Sequence, residues 1–384
     1  MARTKRVKLL VETSRSYGRG LLKGIARYSH LHGPWSFMTE HALYRCTGRK
    51  HSASSDWQVD GIIAFIPDVK QIDKIASMGI PAVVQGVYQA IADRPTIVCD
   101  NYAAGQMGAE YFLERGSPNY AYCGFRNMYW SEGRCRGYCE TLARAGKHAE
   151  VFEPRRRRVS ENMEMSLLLE WLLLLPKPVS LMACNDDRSH DIVRTCMAAE
   201  LHIPDDVAIL GVDNDPIVCE LSDLPLSSIV LSTEKAGYDA AALLDQLMLG
   251  KQMQNARILV EPLYVESRRS TDILTVSDTE VARGLRFIKE TPRQKITVDD
   301  VVYEMCLPRR TAEKKFRRVT GMSINEMIRR ERVNLVAKLL VESDLTIEKI
   351  GENVGFISTS YMIQVFKKVM GTTPLAYRRS SVTP

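Results

Sequence analysis

The sequence predicts a two-lobed α/β domain followed by an all-α domain with two helix-turn-helix units. Three observations lead to this fold class. Short apolar strands alternate with amphipathic helices over the first 270 residues. A basic segment then occurs twice, over residues 297–321 and 346–371. The excess positive charge of the chain lies entirely in the part that carries this repeat.

The charge distribution indicates an anionic partner for the C-terminal part of the chain. At 384 residues the chain is long enough for two or three domains, and 45% hydrophobic with 26% charged residues is ordinary globular composition. Residues 278–384 hold 20 Lys/Arg against 13 Asp/Glu, whereas the first 277 hold 32 against 33, which together give the net charge of +6. A basic module on a neutral body predicts a polyanion, and we expect double-stranded DNA.

The cysteine pattern and the hydropathy of the sequence indicate the cellular compartment of the protein. The nine cysteines include no CxxC pair, so we expect reduced thiols in a cytoplasmic protein. The apolar run after the charged start stops at Glu12, which favours a first strand over a signal peptide. The most apolar stretch, residues 167–175, is too short for a membrane span and is expected to form a buried helix. We expect no membrane partner.

Six strand–helix units follow one another in the first part of the chain. The strands are, in order, VKLLV, GIIAFIP, TIVCDN, YAYCG, SLMACN and AILGVD. The helices that follow them are SYGRGLLKGIARYSHL, DVKQIDKIASMG, YAAGQMGAEYFLERG, SEGRCRGYCETLARAG, DDRSHDIVRTCMAAEL and, further on, TEKAGYDAAALLDQLMLG. Continuous apolar strands between amphipathic helices are typical of a parallel sheet covered on both faces, here in a doubly wound fold of two lobes.

Polar residues at the carboxyl ends of these strands form the candidate ligand site, because doubly wound folds bind ligands there. They are residues 14–19, Asp100-Asn101, Asn185-Asp186 and Asp213-Asn214. No GxGxxG follows the first strand and no GxxxxGK[ST] occurs, so we expect no nucleotide cofactor. The seven histidines form no metal-spaced cluster, so we expect no metal. Carboxylates, amides and guanidiniums can bridge neighbouring hydroxyls of a neutral polyol. Each Asp or Asn could instead cap the next helix, as we expect for Asp100-Asn101, and Asp213 could cap the turn at residues 214–216.

Four stretches of this part resemble the LacI/GalR and periplasmic sugar-binding family. They are CDNYAAGQMGAEYFLERG, GRCRGYCETL, MACNDD and ILGVDND…LPLSSI, in the order that the family has them. The resemblance implies a periplasmic-binding-protein-like sugar-sensing domain over residues 1–271. It implies ligand roles for Arg134, Asn185, Asp186 and Asp213, with Tyr17 and Arg19 lining the wall of the first lobe. LacI-type repressors carry their helix-turn-helix before this domain, whereas strand one here begins by Val7.

The repeat predicts the DNA reader at the other end. In the first copy, a helix over residues 298–305 leads through a turn at Cys306-Leu307 into a second helix that starts at Pro308. In the second copy, a helix over residues 347–353 ends in a turn that contains Gly355, and the next helix opens at Ser358. Residues 323–343 are expected to form a rigid spacer helix, which can place the two units in successive major grooves, about 34 Å apart.

Helix geometry indicates which side chains face DNA. The exposed candidates are Arg309, Arg310, Thr311, Glu313 and Lys314 in the first unit, and Ser358, Thr359, Ser360 and Gln364 in the second. Arg and Lys suit guanine, Gln suits adenine and Glu suits cytosine. The basic pairs Arg317-Arg318 and Lys367-Lys368 are expected to hold phosphates. A solvated helical hairpin could look similar, but the duplication and the charge favour a reader.

Residues 279–379 resemble the DNA-binding domains of the AraC/XylS family, which implies a domain over residues 272–384. The second copy carries the signature Ile350, Val354-Gly355-Phe356, Tyr361, Phe366-Lys367-Lys368, Gly371, Pro374 and Tyr377-Arg378. Three positions depart from it: Gly351 stands where Ala is usual, Met362 where Phe is usual, and Ala312 where the first copy usually has Leu. The last departure is expected to loosen the packing of the first unit.

The two modules in this order resemble the family of xylose-operon activators. That resemblance implies a homodimeric, sugar-responsive activator whose partners are D-xylose, repeated operator half-sites and RNA polymerase. Another pentose or hexose, or a binding module without transcriptional output, remains open. An enzyme is disfavoured because the seven histidines form no HExxH and no GxSxG occurs. The arginines at residues 155–158 could form a second polyanion contact, but we expect a solvated loop.

Overall fold

Twelve strands and fourteen α-helices make up the part of the chain that the computed structural model describes. This part comprises residues 3–39, 59–66, 75, 77–86, 94–154, 161–253, 255–271, 279–291 and 296–381. Most of the helix expected over residues 68–79, the four arginines at 155–158 and the junction at 272–278 lie outside the described residues.

The elements have the following bounds. The strands are β1 Lys5–Leu10, β2 Trp35–Thr39, β3 Gly61–Ile66, β4 Ala82–Gly86, β5 Thr96–Cys99, β6 Asn119–Cys123, β7 Ala149–Phe152, β8 Val179–Ala183, β9 Val207–Val212, β10 Ser227–Leu231, β11 Arg257–Val260 and β12 Pro262–Glu266. The helices are α1 Ser16–His32, α2 Asn101–Leu113, α3 Tyr129–Arg144, α4 Glu161–Leu174, α5 Asp186–Ala198, α6 Pro216–Leu221, α7 Thr233–Met248, α8 Thr279–Glu290, α9 Val298–Met305, α10 Arg309–Thr320, α11 Ile324–Glu342, α12 Ile347–Asn353, α13 Thr359–Met370 and α14 Pro374–Ser381.

The strands form two six-stranded sheets, one in each lobe. The first sheet has the order β11-β5-β4-β3-β1-β2 and its paired strands are parallel. The second has the order β12-β10-β9-β8-β6-β7, in which only β12 runs antiparallel to its neighbour. The predicted fold class, two α/β lobes followed by an all-helical domain, is confirmed.

Within the described residues the chain passes between the lobes three times, and these crossings lie side by side. They follow β5 at Asp100, β10 at Ser232 and β11 at Glu261. The Asp100 amide donates to the Val260 carbonyl at 2.9 Å, and the Ser232 amide donates to the Glu261 carbonyl at 2.9 Å. Asp100 also accepts from the amide of Ala103, so the expected cap of α2 is present at this residue. These hydrogen bonds tie the crossings into one hinge.

The leucine-rich helix α4 is buried on one face only, which corrects the expectation of a buried helix. Leu168 and Leu172 are fully buried against the core of the second lobe. Leu173 and Leu174 on the opposite side are 55% and 84% exposed. A helix that packs on one side of a sheet buries only the residues of one helical stripe, whatever the composition of the other face. Within the described ranges, every helix is too short or too polar to cross a membrane.

The C-terminal domain consists of two helix-turn-helix units with separate cores, joined by the spacer helix α11. The helices α9 and α12 have the predicted bounds. The second helix of the first unit begins at Arg309, with Pro308 as its cap, and not at Pro308 as expected. Each turn contains a residue in the left-handed region, Cys306 with φ 54° and Gly355 with φ 81°.

Gly351 offers a test of the packing of the second unit. It lies within α12 with no left-handed φ, and a Cβ built on it would be 3.5 Å from Cε of Met362, an ordinary contact. Alanine loses less conformational freedom on folding than glycine, so Gly351→Ala should raise the free energy of unfolding by about 0.5–1 kcal/mol, measured by urea denaturation. A loss of stability would mean that Met362 leaves no room for the methyl group.

Candidate functional site

An ion pair marks the candidate ligand cleft, where the carboxyl ends of the two sheets face each other. Arg134 of α3 is 3% exposed, and its Nη2 lies 3.4 Å from Oδ1 of Asp213, which directly follows β9. The same guanidinium donates to the carbonyl of Cys184 and, through Nε, to Oδ1 of Asn101 at 3.3 Å. Three partners from three elements therefore fix the fork of Arg134.

Asp213 is held in a conformation that capping does not explain. Its φ is 102°, in the region that L-residues rarely adopt, and strain of this kind clusters at functional sites. The cap of the following helix α6 is Asp215, which accepts from the amide of Ile217 at 3.0 Å. Burial raises the pKa of Asp213 to about 6, against the opposing effect of Arg134. Asp215, and not Asp213, is therefore the residue that caps α6.

Asp186 has hydrogen-bond partners within the second lobe, and its expected contact with the sugar stays a prediction. It is 2% exposed, and its two oxygens accept from the Asp215 amide at 2.7 Å and from the Ser228 hydroxyl at 2.5 Å. Burial raises its pKa to about 8. Its neighbour Asn185 is partly exposed and caps α5 through Oδ1, which accepts from the Arg188 amide at 3.0 Å.

Arg19 lines the same groove as Asp213 and also has partners within the protein. Its Nη2 lies 2.8 Å from Asp215, and its Nη1 donates to the carbonyls of Thr13 and Ser14 at 3.1 and 2.7 Å. Arg15 pairs with Asp187 at 2.8 Å. Both ion pairs join the first lobe to the second.

Gln85 is a cleft residue that the sequence analysis missed. It is the penultimate residue of the otherwise apolar strand β4, is 4% exposed, and donates from Nε2 to the hydroxyl of Tyr17 at 2.7 Å. Its Oε1 is buried without a hydrogen-bond partner among the described residues. A buried acceptor left unpaired costs about 1–3 kcal/mol, which a ligand hydroxyl could recover. One polar residue near the end of an otherwise apolar strand was the signal.

The candidate DNA-facing residues lie on the outer faces of α10 and α13. Phe316 and Phe366 are fully buried, so the opposite faces point to solvent. The exposed side chains are Arg309, Arg310, Thr311, Glu313, Lys314, Arg317 and Arg318 in the first unit, and Ser358, Ser360, Gln364, Lys367 and Lys368 in the second, with Thr359 partly exposed.

Two of these side chains also have partners within the domain. Arg309 pairs with Asp299 at 2.7 Å and with Glu313 at 3.2 Å, so a base would compete for it with two carboxylates. Ser358 caps α13 by accepting from the amide of Tyr361 at 3.3 Å. Base reading by Arg309 and Ser358 therefore stays a prediction for which these internal contacts must be exchanged or shared.

The helical domain is attached to the second lobe through β12. The Tyr264 hydroxyl donates to Glu342 at 2.7 Å, and Lys338 pairs with Glu266 at 2.7 Å. The Tyr377 hydroxyl of α14 donates to the Leu263 carbonyl at 2.9 Å in a buried contact. A groove of about 600 Å³ separates the end of α11 from α1 of the first lobe. The spacer helix is thus fixed to one lobe and faces the other across a gap.

Comparison with known proteins assigns these parts to families. Residues 6–106 match the model described as XylR N-terminal domain, residues 109–271 the periplasmic binding protein-like domain, and residues 302–380 a helix-turn-helix domain.

Two curated relatives and one solved structure extend over nearly the whole chain. The chain is 30% identical to the xylose operon regulatory protein of Escherichia coli (strain K12), over 97% of this chain and 96% of that protein. It is 27% identical to the protein of that name from Haemophilus influenzae (strain ATCC 51907 / DSM 11121 / KW20 / Rd), over 97% and 98%. The structure of the xylose-binding transcription activator xylR matches 99% of both chains, at 27% identity and a TM-score of 0.63.

A more distant likeness supports the fold of the first domain alone. The transcriptional regulator CelR in complex with cellobiose is 21% identical, with a TM-score of 0.54, over 70% of this chain and 85% of that chain.

Proposed function

Because the chain belongs to the xylose operon regulatory protein family, which joins a periplasmic-binding-protein-like sugar sensor to an AraC-type helix-turn-helix domain, we propose that it is a transcriptional activator whose effector is D-xylose. The family consists of sugar-sensing, DNA-binding transcription regulators and not of enzymes. The observation that carries the effector proposal is the buried Arg134–Asp213 pair at the facing sheet edges.

The cleft has the chemistry for a neutral polyhydroxy ligand. Asp213 accepts hydrogen bonds from hydroxyls, Arg134 donates two in a planar fork, and Gln85 offers an unused acceptor. We propose Asn185 as a further donor, since its cap uses only Oδ1, and Tyr17 as a wall that also orients Gln85. We also keep Arg19 and Asp186 in this proposed set, and each has an internal partner, Asp215 and Ser228 respectively.

Cleft closure and reader orientation can be coupled through β12. Sugar that contacts both lobes favours the closed state, in which Arg19 and Arg15 reach Asp215 and Asp187. Since β12 starts next to the third crossing and holds α11 and α14, a change of lobe angle at the hinge should move the spacer helix relative to α1. The groove beside Glu342 would then change its width with the state of the cleft.

Several partners and boundaries are proposed on the strength of the family. A homodimer would present two such readers to repeated half-sites and would contact RNA polymerase.

We propose a domain division between residues 271 and 272, which agrees with the burial of Thr271 against Tyr111 and Ser227 of the second lobe.

The effector is tested by thermal shift of the full chain against a panel of aldoses and ketoses. D-xylose at 100 times its dissociation constant should stabilise the protein by about 2.7 kcal/mol. A larger shift with another pentose or hexose would replace D-xylose while leaving the regulator intact. Titration of a promoter fragment then separates a regulator from a sugar-binding module, because only the regulator changes its DNA affinity with sugar.

We expect Gln364 to contact a base and Lys367 to contact a phosphate, so substitution of these two exposed residues of α13 should have different effects. Gln364→Ala should cost about 1–3 kcal/mol at sequences with the preferred base and relax that preference. Lys367→Ala should weaken all duplexes alike and reduce the slope of log affinity against log salt by about one. Binding measured at several salt concentrations checks both. Equal losses for both variants on every duplex would mean that Gln364 does not read a base.

A further inference from the structure

Ile357 is the most exposed of the large apolar side chains in the part of the chain that the structure describes. It is 96% exposed and stands directly before Ser358, the cap of the candidate reading helix α13. Its neighbour Phe356 is 6% exposed within the core of the second unit. Isoleucine in water forgoes the stabilisation that burial of its side chain would give.

A difference between the two units explains how Ile357 comes to point outward. In the first unit, Leu307 alone stands between the left-handed Cys306 and Pro308, and it packs against the core. In the second, two residues stand between Gly355 and Ser358. Phe356 takes the core position, and the additional residue, Ile357, is left on the surface at the start of α13.

Ile357 does not stabilise the start of α13 by packing against it, so such a role does not explain its position. An apolar residue just before a helix cap often packs against the fourth residue of the helix and fixes the entry of the chain. That residue is Met362 here, which is fully buried, whereas Ile357 is almost fully exposed. The inner side of the turn is instead closed by Phe356 and Tyr361, whose ring centroids lie 6.3 Å apart.

We propose that Ile357 recognises the 5-methyl group of a thymine in the major groove. This inference rests on the proposed role of α13 as a reader. Residues at the N-terminus of a recognition helix approach the base edges, and apolar side chains contact the thymine methyl. The exposed Ser358, Ser360 and Gln364 supply polar contacts from the same end and face of the helix. Ile357 adds a preference that hydrogen bonds cannot provide.

Uracil tests this directly, because it differs from thymine only by the missing methyl group. The full chain first selects duplexes from a random-sequence pool, and each thymine of a selected duplex is then replaced in turn by uracil. One replacement should weaken binding about fourfold, equivalent to about 0.8 kcal/mol. Ile357→Ala should weaken binding to the thymine duplex by a similar factor and show no further loss with that uracil. Leu174→Ala is the matched control, because it also removes an exposed large apolar side chain, but from α4 of the second lobe. It should bind the duplex as tightly as the parent chain does.

Some results would contradict only the proposed contact of Ile357, whereas another would contradict the reader role of α13 as well. Should Ile357→Ala bind thymine and uracil duplexes as tightly as the parent chain does, the proposal is wrong. It is also wrong if Ile357→Ala binds more weakly but keeps the full penalty for uracil, since the side chain would then act elsewhere. If the full chain selects no duplex at all, the proposed reader role of α13 fails, and this inference fails with it.

Discussion

Asp213→Asn should lower the affinity for the sugar effector about tenfold or more while the melting temperature of the free protein changes little. The carboxylate makes charge-assisted hydrogen bonds, worth about 1.5–3 kcal/mol each, and an amide of the same shape makes weaker ones. The substitution relieves the cost of a buried charge but also removes the counter-charge of Arg134, and these effects on stability oppose each other. Isothermal titration and thermal denaturation check the two halves of this result.

The pH dependence of the same residue has a definite sign. The pKa of Asp213 is raised to about 6 in the folded chain, so its contribution to folding is present below the unfolded value of 3.8 and is lost as the pH rises through 6. Sugar binding uses the ionised form and should therefore weaken as the pH falls from 7 to 5. Asp213→Asn should show a flat profile over this window.

Arg134→Lys provides a companion to this test. Lysine keeps the charge but loses the fork that spans two oxygens, so sugar affinity should fall in the same way. An Asp213→Asn protein that melts early yet binds the sugar normally would show that Asp213 holds its turn together and that the effector binds elsewhere.

Gly105→Ala should destabilise the chain by about 3 kcal/mol and weaken sugar binding as well. A Cβ on Gly105 of α2 would lie 2.0 Å from the carbonyl oxygen of Arg134 and 2.7 Å from the amide of Tyr138, both backbone atoms of α3. Backbone cannot turn aside as a side chain does, so the two helices must separate. Because the nearer of the two backbone atoms belongs to Arg134, we expect the loss of stability and of affinity to appear together.

Gly351→Ala is the control for Gly105→Ala, since the same methyl group is added to a helical glycine of the same chain. The expected signs are opposite, because of these two glycines only Gly105 would place its Cβ less than 3 Å from backbone atoms. Urea denaturation with and without D-xylose measures both variants. Parent-like stability of Gly105→Ala would mean that α2 and α3 do not approach as closely as the structure has them.

Six of the eight interior strands were predicted from the sequence, whereas the interior strands β4 and β10 and the four edge strands were not. Strands β8 and β9 are fully buried and appear as continuous apolar runs. The edge strand β2 buries only Trp35, and β7 buries only Ala149, so neither has a run of apolar residues that marks it as a strand. A strand with one neighbour and a solvent-exposed face leaves little hydrophobic pattern in the sequence.

Some properties of the candidate site residues depend on their sequence neighbours, whereas others depend on partners far away in the sequence. The exposure of Gln364 follows from the helical period within α13 and was predicted. The actual partner of Arg19, Asp215, is 196 positions away, and the partner of Asp186, Ser228, is 42 positions away. A pattern of neighbouring residues contains no information about such pairings, so the sequence could not show them.

The coupling between sugar and DNA is tested most directly by measuring it from both sides. The affinity of the full chain for its promoter DNA is determined with and without saturating D-xylose, and the affinity for D-xylose is determined with and without saturating DNA. Two sites coupled through one hinge must change each other's affinity by the same factor, about 5- to 150-fold for a typical coupling. We expect equal factors greater than one, and a reduced sugar dependence for Asp213→Asn. DNA affinity that is independent of every sugar tested, with the sugar still bound, would contradict the coupling of cleft and reader through β12.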